Sequence, residues 1–387
     1  MSLVDQHRGR ELTESQREWL RGREYLLANR YELGQDAADL YPDTMTVAGT
    51  PLLTRCEWLP SEPIPLDAIH VEFAPETPFA GLAGDDPATA SVRPQCADGS
   101  PYLTYSSAMA DLAAPAVFEN RSTYRLLSAD LAGPRGRLVF GRGNYFDGID
   151  LGEAAAHEYA EARLNGVGTP LRNAIGDPCD PAGRPMNLAI SALTVRHDRL
   201  TGDVSFLIHW RDPAKVSHAG GLYMVVPVGI FQASDDQPWN EVNDFSLWRC
   251  MLREYAEELL GEPEIHGSGR KPIDYDAWPF ARRTTSALLS EEIHASVLGI
   301  GVDPLTLAAD LLTVVAFDAP VFDELFGGIV DSNAEGRLIG TTGAREGPLT
   351  LPFTPSAIEQ LVRREPMQAA GAALLLAWRQ GDACPPA

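Results

Sequence analysis

An apolar run ending in glycine, followed by a helix dense in carboxylates, constrains this chain more than any other stretch. Gly220-Gly221-Leu-Tyr-Met-Val-Val-Pro-Val-Gly229 reads as a loop entering a strand, and Leu252-Arg-Glu-Tyr-Ala-Glu-Glu-Leu-Leu-Gly261 as an amphipathic helix. At about 100° per residue, Glu254, Glu257 and Glu258 share roughly a quarter of the helix circumference, while Trp248, Leu252, Tyr255 and Leu259 gather on another face. One face can pack on a sheet and the other can hold a divalent cation. Hard cations take oxygen ligands and leave positions for water and substrate phosphates, so clustered glutamates suit phosphate chemistry. A solvated acidic face is the ordinary alternative for the same pattern.

With 387 residues the chain exceeds the size at which one core stops growing, so two domains are expected. A net charge of −23 opposes attraction to nucleic acid or to an anionic membrane, and Lys occurs only at Lys215 and Lys271. The first residues lack the apolar core of a leader, and no window is apolar enough for a membrane span, which predicts a cytoplasmic protein. The five cysteines, at 56, 96, 179, 250 and 384, have no Cys-x-x-Cys spacing and argue against a disulfide framework or a zinc site.

Residues 11–42 read as helical, with Thr13 or Ser15 as cap, and Ala68–Phe73 as a strand. Tyr124–Ser128 and Gly136–Phe140 are further strands. Gly141-x-Gly143 after them is either a phosphate turn or a plain tight turn, and lacks the third glycine of a dinucleotide fingerprint. Leu151–Arg163 is a helix whose His157-Glu158 opens like a zincin motif, but Glu161 stands where the second His would ligate. Residues 165–186, dense in Gly, Pro and Asp, place the boundary between an N-terminal α+β domain (1–180) and a second domain (187–387). There Asn187–Arg196 and Val204–Trp210 form a hairpin, Leu222–Val228 is a third strand, and the carboxylate helix runs from about Asp244 to Leu260. Leu311–Phe317 is a last strand; helices Thr354–Arg363 and Ala369–Arg379 close the chain.

Two strands, a Gly-Gly loop, a strand ending at glycine and Arg-Glu-x-x-Glu-Glu on a helix resemble the Nudix hydrolases. The resemblance covers residues 187–340 and implies an α/β fold: a C-terminal Nudix-like α/β/α sandwich with a mixed sheet, beside the N-terminal α+β domain. It implies that Glu254, Glu257 and Glu258 hold Mg²⁺ or Mn²⁺, that Arg253 braces loop and helix through an ion pair, and that a glutamate such as Glu257, Glu258 or the loop residue Glu335 acts as base. Arg211, Lys215, Arg270 and Lys271 are the candidate contacts to a phosphorylated small-molecule ligand. The implied activity is metal-dependent pyrophosphohydrolysis of a nucleoside diphosphate linked to another group.

The departures are specific. Gly229 lies ten residues farther from Arg253 than in the family pattern. Phe245 stands where the pattern has its first Glu, leaving Asp244 or Glu241 to replace it, and Gly261 falls one position late. These departures support an alternative, a catalytically diverged Nudix-like protein that senses a ligand. Whether the chain forms a homodimer stays open.

Overall fold

The computed structural model describes every residue except 1–2, 8, 116–117, 212–219, 264–270, 328, 330–335, 341–349 and 381–387. The N-terminal helices, Glu14–Ala28 and Arg30–Ala37, start at Thr13. Its hydroxyl accepts the Gln16 N–H while the Gln16 amide oxygen accepts the Thr13 N–H, so two helix-end donors are satisfied reciprocally. Three short strands follow, β1 (Met45–Thr46), β2 (Leu53–Thr54) and β3 (Ile64–Pro65), then β4 (Ile69–Phe73). After the helix Tyr105–Leu112 come β5 (Ser122–Asp130) and β6 (Gly136–Asn144). A π-helical turn, Ile149–Glu153, runs into the helix Ala154–Asn165, and Pro170–Ile175 forms a short helix.

The second half contributes β7 (Leu188–Asp198), β8 (Asp203–Phe206), β9 (Ile208–Arg211), β10 (Tyr223–Met224) and β11 (Val228–Ile230). Helices Pro238–Asn243, Leu247–Leu260 and Pro279–Leu289 precede β12 (Ile293–Val302) and β13 (Ala309–Asp318). The helix Ala319–Phe326, β14 (Gly336–Ile339), β15 (Leu351–Pro352) and helices Pro355–Arg364 and Ala369–Gln380 complete the described chain.

The molecule is an α/β protein built on a mixed sheet of nine described strands, ordered β1-β2-β12-β13-β7-β8-β15, with β11 also on β7 and β3 on β12. β13 and β7 are parallel neighbours, while β12–β13 and β7–β8 are antiparallel. Side chains alternate across a strand, and both faces are apolar here. Leu188, Ile190 and Ala192 of β7, with Leu311, Val315 and Phe317 of β13, enter the core that holds the carboxylate helix. Leu193 and Val195, with Leu312, Val314 and Ala316, enter the core under the two last helices. A sheet covered on both faces needs the near-continuous Val/Leu/Ile runs these strands carry.

β4, β6 and β5 form a smaller sheet, with β4 parallel and β5 antiparallel to β6, and β9, β10 and β14 form another. Leu126 of β5 donates its backbone N–H to Met186, and Tyr124 donates to Phe231. Trp58, Leu126 and Phe140 share one apolar cluster with Leu188 and Tyr255. Segments from both sides of residues 165–186 therefore meet in one core, and β1–β3 pair into the large sheet. Among the described residues, no helix is long and apolar enough to cross a membrane.

Three local expectations are revised by the structure. Gly141 and Gly143 lie within β6 rather than in a turn. Residues 165–186 include a helix, started by Pro170 at its first position. The third strand is split: Tyr223–Met224 pairs with β9, and Val228–Ile230 pairs with β7. β12, for which the sequence raises no expectation, lies inside the large sheet; Gly299 and Gly301 dilute its alternation.

Candidate functional site

The carboxylate helix, Leu247–Leu260, begins where the Ser246 hydroxyl accepts the Arg249 N–H. It ends where Gly261 takes a left-handed conformation (φ +66°), open to glycine at little cost. Gly261 is thus the helix terminator, which gives its position a structural reason. Cys250, Met251, Tyr255 and Leu259 bury one face against the sheet. The Tyr255 hydroxyl lies 2.9 Å from Thr194 Oγ1 on β7, and the Thr194 hydroxyl donates to Val226 O at 2.6 Å. Burial pushes the Cys250 thiol up to about 12, so it stays protonated.

The glutamates separate into distinct environments. Glu258 is 6% exposed, and its Oε1 accepts the Val228 N–H at 2.8 Å. The Glu254 carboxyl lies over Gly229, where a Cβ would sit 2.1 Å from Glu254 Cδ, so glycine is what admits that side chain. Glu254 and Glu258, one turn apart, both reach the start of β11; Glu257 is exposed. Among the described residues, no group of three or more His, Cys, Asp or Glu side chains stands close enough to hold a metal ion.

Arg253 anchors a buried network instead. Its guanidinium donates to Tyr275 Oη and to Gln232 O, both at 2.6 Å, and lies 3.8 Å from Asp244 Oδ1. Tyr275 donates to the same Asp244 oxygen at 2.9 Å, and Asp244 Oδ2 accepts the Ser234 N–H. Burial works against the Arg253 charge, but Cys250, Tyr275 and Asp244 outweigh it and the net shift is upward. Asp244 is therefore the acid facing Arg253, whereas Glu241 pairs with Arg142 of β6 at 2.6 Å. Tyr275 went unnoticed in the sequence, since a lone tyrosine in a polar loop has no periodicity to mark it.

Arg211 ends β9, with its guanidinium near Met224 Sδ at 3.8 Å, and Lys271 is exposed. Glu335, Lys215 and Arg270 fall outside the described residues. A cleft of about 610 Å³ opens between β5, β6 and residues 233–241, beside the loop that Arg253 and Asp244 secure. Arg125, Arg142, Asn144 and Asp147 line it; none was a candidate site residue in the sequence, although Arg142 is the middle residue of Gly141-x-Gly143. No family model matches this chain, and no curated protein matches it.

Proposed function

We propose that this chain is a Nudix-like protein that binds a small molecule, and that its box helix acts as a structural brace and not as the catalytic centre of a pyrophosphohydrolase. The observation that carries this is the commitment of Glu258. A carboxylate that is buried and accepts a backbone N–H at the start of β11 is already serving the fold. The Arg253–Tyr275–Asp244 network supports the same reading, because it ties the helix to the loop that forms one wall of the cleft.

Metal-dependent hydrolysis of a nucleoside diphosphate linked to another group is the second reading. It is favoured by the convergence of Glu254 and Glu258 on Val228 and Gly229, a strand end of the kind the family resemblance requires.

One experiment separates the two. The protein and its Glu258→Gln variant are incubated with Mg²⁺ or Mn²⁺ and nucleotide sugars, dinucleotides and nucleoside triphosphates, and their melting is compared. The brace predicts no turnover above that of the variant together with a lower melting temperature for Glu258→Gln, since the Val228 N–H loses its charged acceptor. Turnover by the wild type that the variant lacks would overturn it.

A further inference from the structure

We infer that the cleft between β5, β6 and residues 233–241 is a binding site for a small carboxylate ligand, anchored by Arg125 and best matched by a zwitterion. Arg125 is 4% exposed, and it lines this cleft. Its Nε donates to Arg142 O at 3.1 Å and its Nη2 to Thr77 O at 3.2 Å, while its Cζ lies 5.0 Å from the centre of the Phe79 ring. Those partners are two neutral carbonyls and a ring face. Among the described residues, Nη1 has no acceptor and no carboxylate comes within ion-pair distance of this guanidinium; Asp147, on the same cleft wall, acts on it only through its field. Buried charges are normally paired, because taking one out of water is unfavourable. A guanidinium held rigidly at a cleft wall with one edge open is suited to receive an anion from outside, and its planar fork matches a carboxylate.

The other charged groups narrow the class. Arg142, the second cation, is already taken by Glu241 at 2.6 Å and Glu76 at 3.0 Å. The cleft carboxylates also have partners. Asp235 accepts the Gln237 N–H and the Asn240 amide, Asp236 accepts the Ser122 N–H, and Asp147 accepts the Asn144 N–H. Four carboxylates against two guanidiniums leave the walls net negative. That field repels a phosphate dianion more strongly than a single carboxylate and favours a ligand that also carries a cationic group to face the acids. A volume of about 610 Å³ lies within the range of small-molecule sites.

Gly143 of β6 fits this use. A Cβ on Gly143 would stand 2.8 Å from Arg125 Cβ and 3.1 Å from Thr123 Oγ1, so glycine makes room for the arginine to lie across the sheet. Of the Gly141-x-Gly143 pair, Gly143 seats Arg125, whereas a Cβ at Gly141 would meet Leu127.

The inference deepens the ligand-binding reading and rests on it for its biological meaning. Its test is read separately, as binding at Arg125 and not as turnover at Glu258. The full chain is titrated calorimetrically with the standard amino acids, malonate, glucose 6-phosphate and glucose. Saturable binding of an amino acid that exceeds any by the sugar phosphate, and none by glucose, is expected. Arg125→Gln should weaken it by at least about tenfold. Because Arg125 also braces Thr77 and Arg142, a second variant, Gln237→Trp, obstructs the cleft from an exposed position whose side chain holds no other element. It too should abolish binding while melting like the wild type. Tighter binding of glucose 6-phosphate, undiminished binding in Gln237→Trp, or no saturable binding of any carboxylate would overturn the inference.

Discussion

Asp310 shows how one residue can set a pH response for the whole fold. It lies on β13, 1% exposed, and accepts the Ser191 hydroxyl at 2.7 Å through Oδ1. Burial raises its pKa to about 7, more than the Ser191 hydrogen bond lowers it, and Asp303 adds to the rise. The folded state therefore holds this proton more tightly than the unfolded chain, whose carboxyl titrates near 4. Between those values folding takes up a proton, so the stabilisation is complete at acid pH and is lost as pH rises through about 7. The slope reaches at most about 1.4 kcal/mol per pH unit. Asp310→Asn cannot ionise, and its stability should vary less with pH. Urea denaturation of both proteins between about pH 4 and pH 8 checks this; parallel curves would refute it. The same residue explains a limit of sequence reading. An acid beside Leu311 looks like the edge of a strand, so the predicted strand began at Leu311, whereas the ladder starts at Ala309 and encloses the carboxyl.

At the scale of elements, what was legible followed periodicity and caps. The helix capped by Thr13, the carboxylate helix and the helix begun by Thr354-Pro355 stand where their signals put them, within a few residues. Strands β7 and β13 announce themselves as long apolar runs. What could not be read was long-range pairing by two-residue strands. β1, β2 and β3 have too few residues to show alternation, and their place in the large sheet depends on β12, far along the chain. The carboxylates pose the same problem: helical spacing puts them on one side, but only packing decides that Glu258 is spent on β11.

Glycines sort by what they approach, and this yields a comparison of two elements. A Cβ at Gly229 would meet the movable end of Glu254, whereas at Gly152, in the π-helical turn, it would lie 2.2 Å from the backbone oxygen of Thr306. A side chain can rotate away, but a carbonyl held by its loop cannot. Gly152→Ala should cost about 2 kcal/mol or more, and Gly229→Ala less than about 1 kcal/mol. Equal costs in urea denaturation would contradict the distinction.

For the whole molecule, the question is what fastens the first forty residues to the rest. The centre of that attachment is Glu153, where the π-helical turn meets the helix Ala154–Asn165. Arg23 donates to its Oε2 at 2.6 Å, and Arg30 grips both oxygens at 3.0 Å, with all three side chains almost wholly buried. The Tyr105 hydroxyl closes the group through Arg23 and His157 Nδ1. Burial lowers the His157 pKa, more than Glu161 raises it, so the ring is neutral at physiological pH and leaves the balance to the two arginines and Glu153. Glu153→Gln keeps the shape but removes the one negative charge the two guanidiniums share. Breaking such a buried set by deleting one partner typically costs about 3–5 kcal/mol. The exposed residue Glu14 is the control. It also bridges two arginines, Arg17 and Arg21, each at 3.2 Å, but in water, so Glu14→Gln should leave the melting temperature unchanged. Hydrogen exchange then localises the effect. In Glu153→Gln the amides of Glu14–Ala37 should exchange faster before those of β7 and β13 do, because the arginines that pin both helices are the ones left without their counter-charge. If the two variants melt alike, or if protection falls evenly across the chain, Glu153 is not the fastening point.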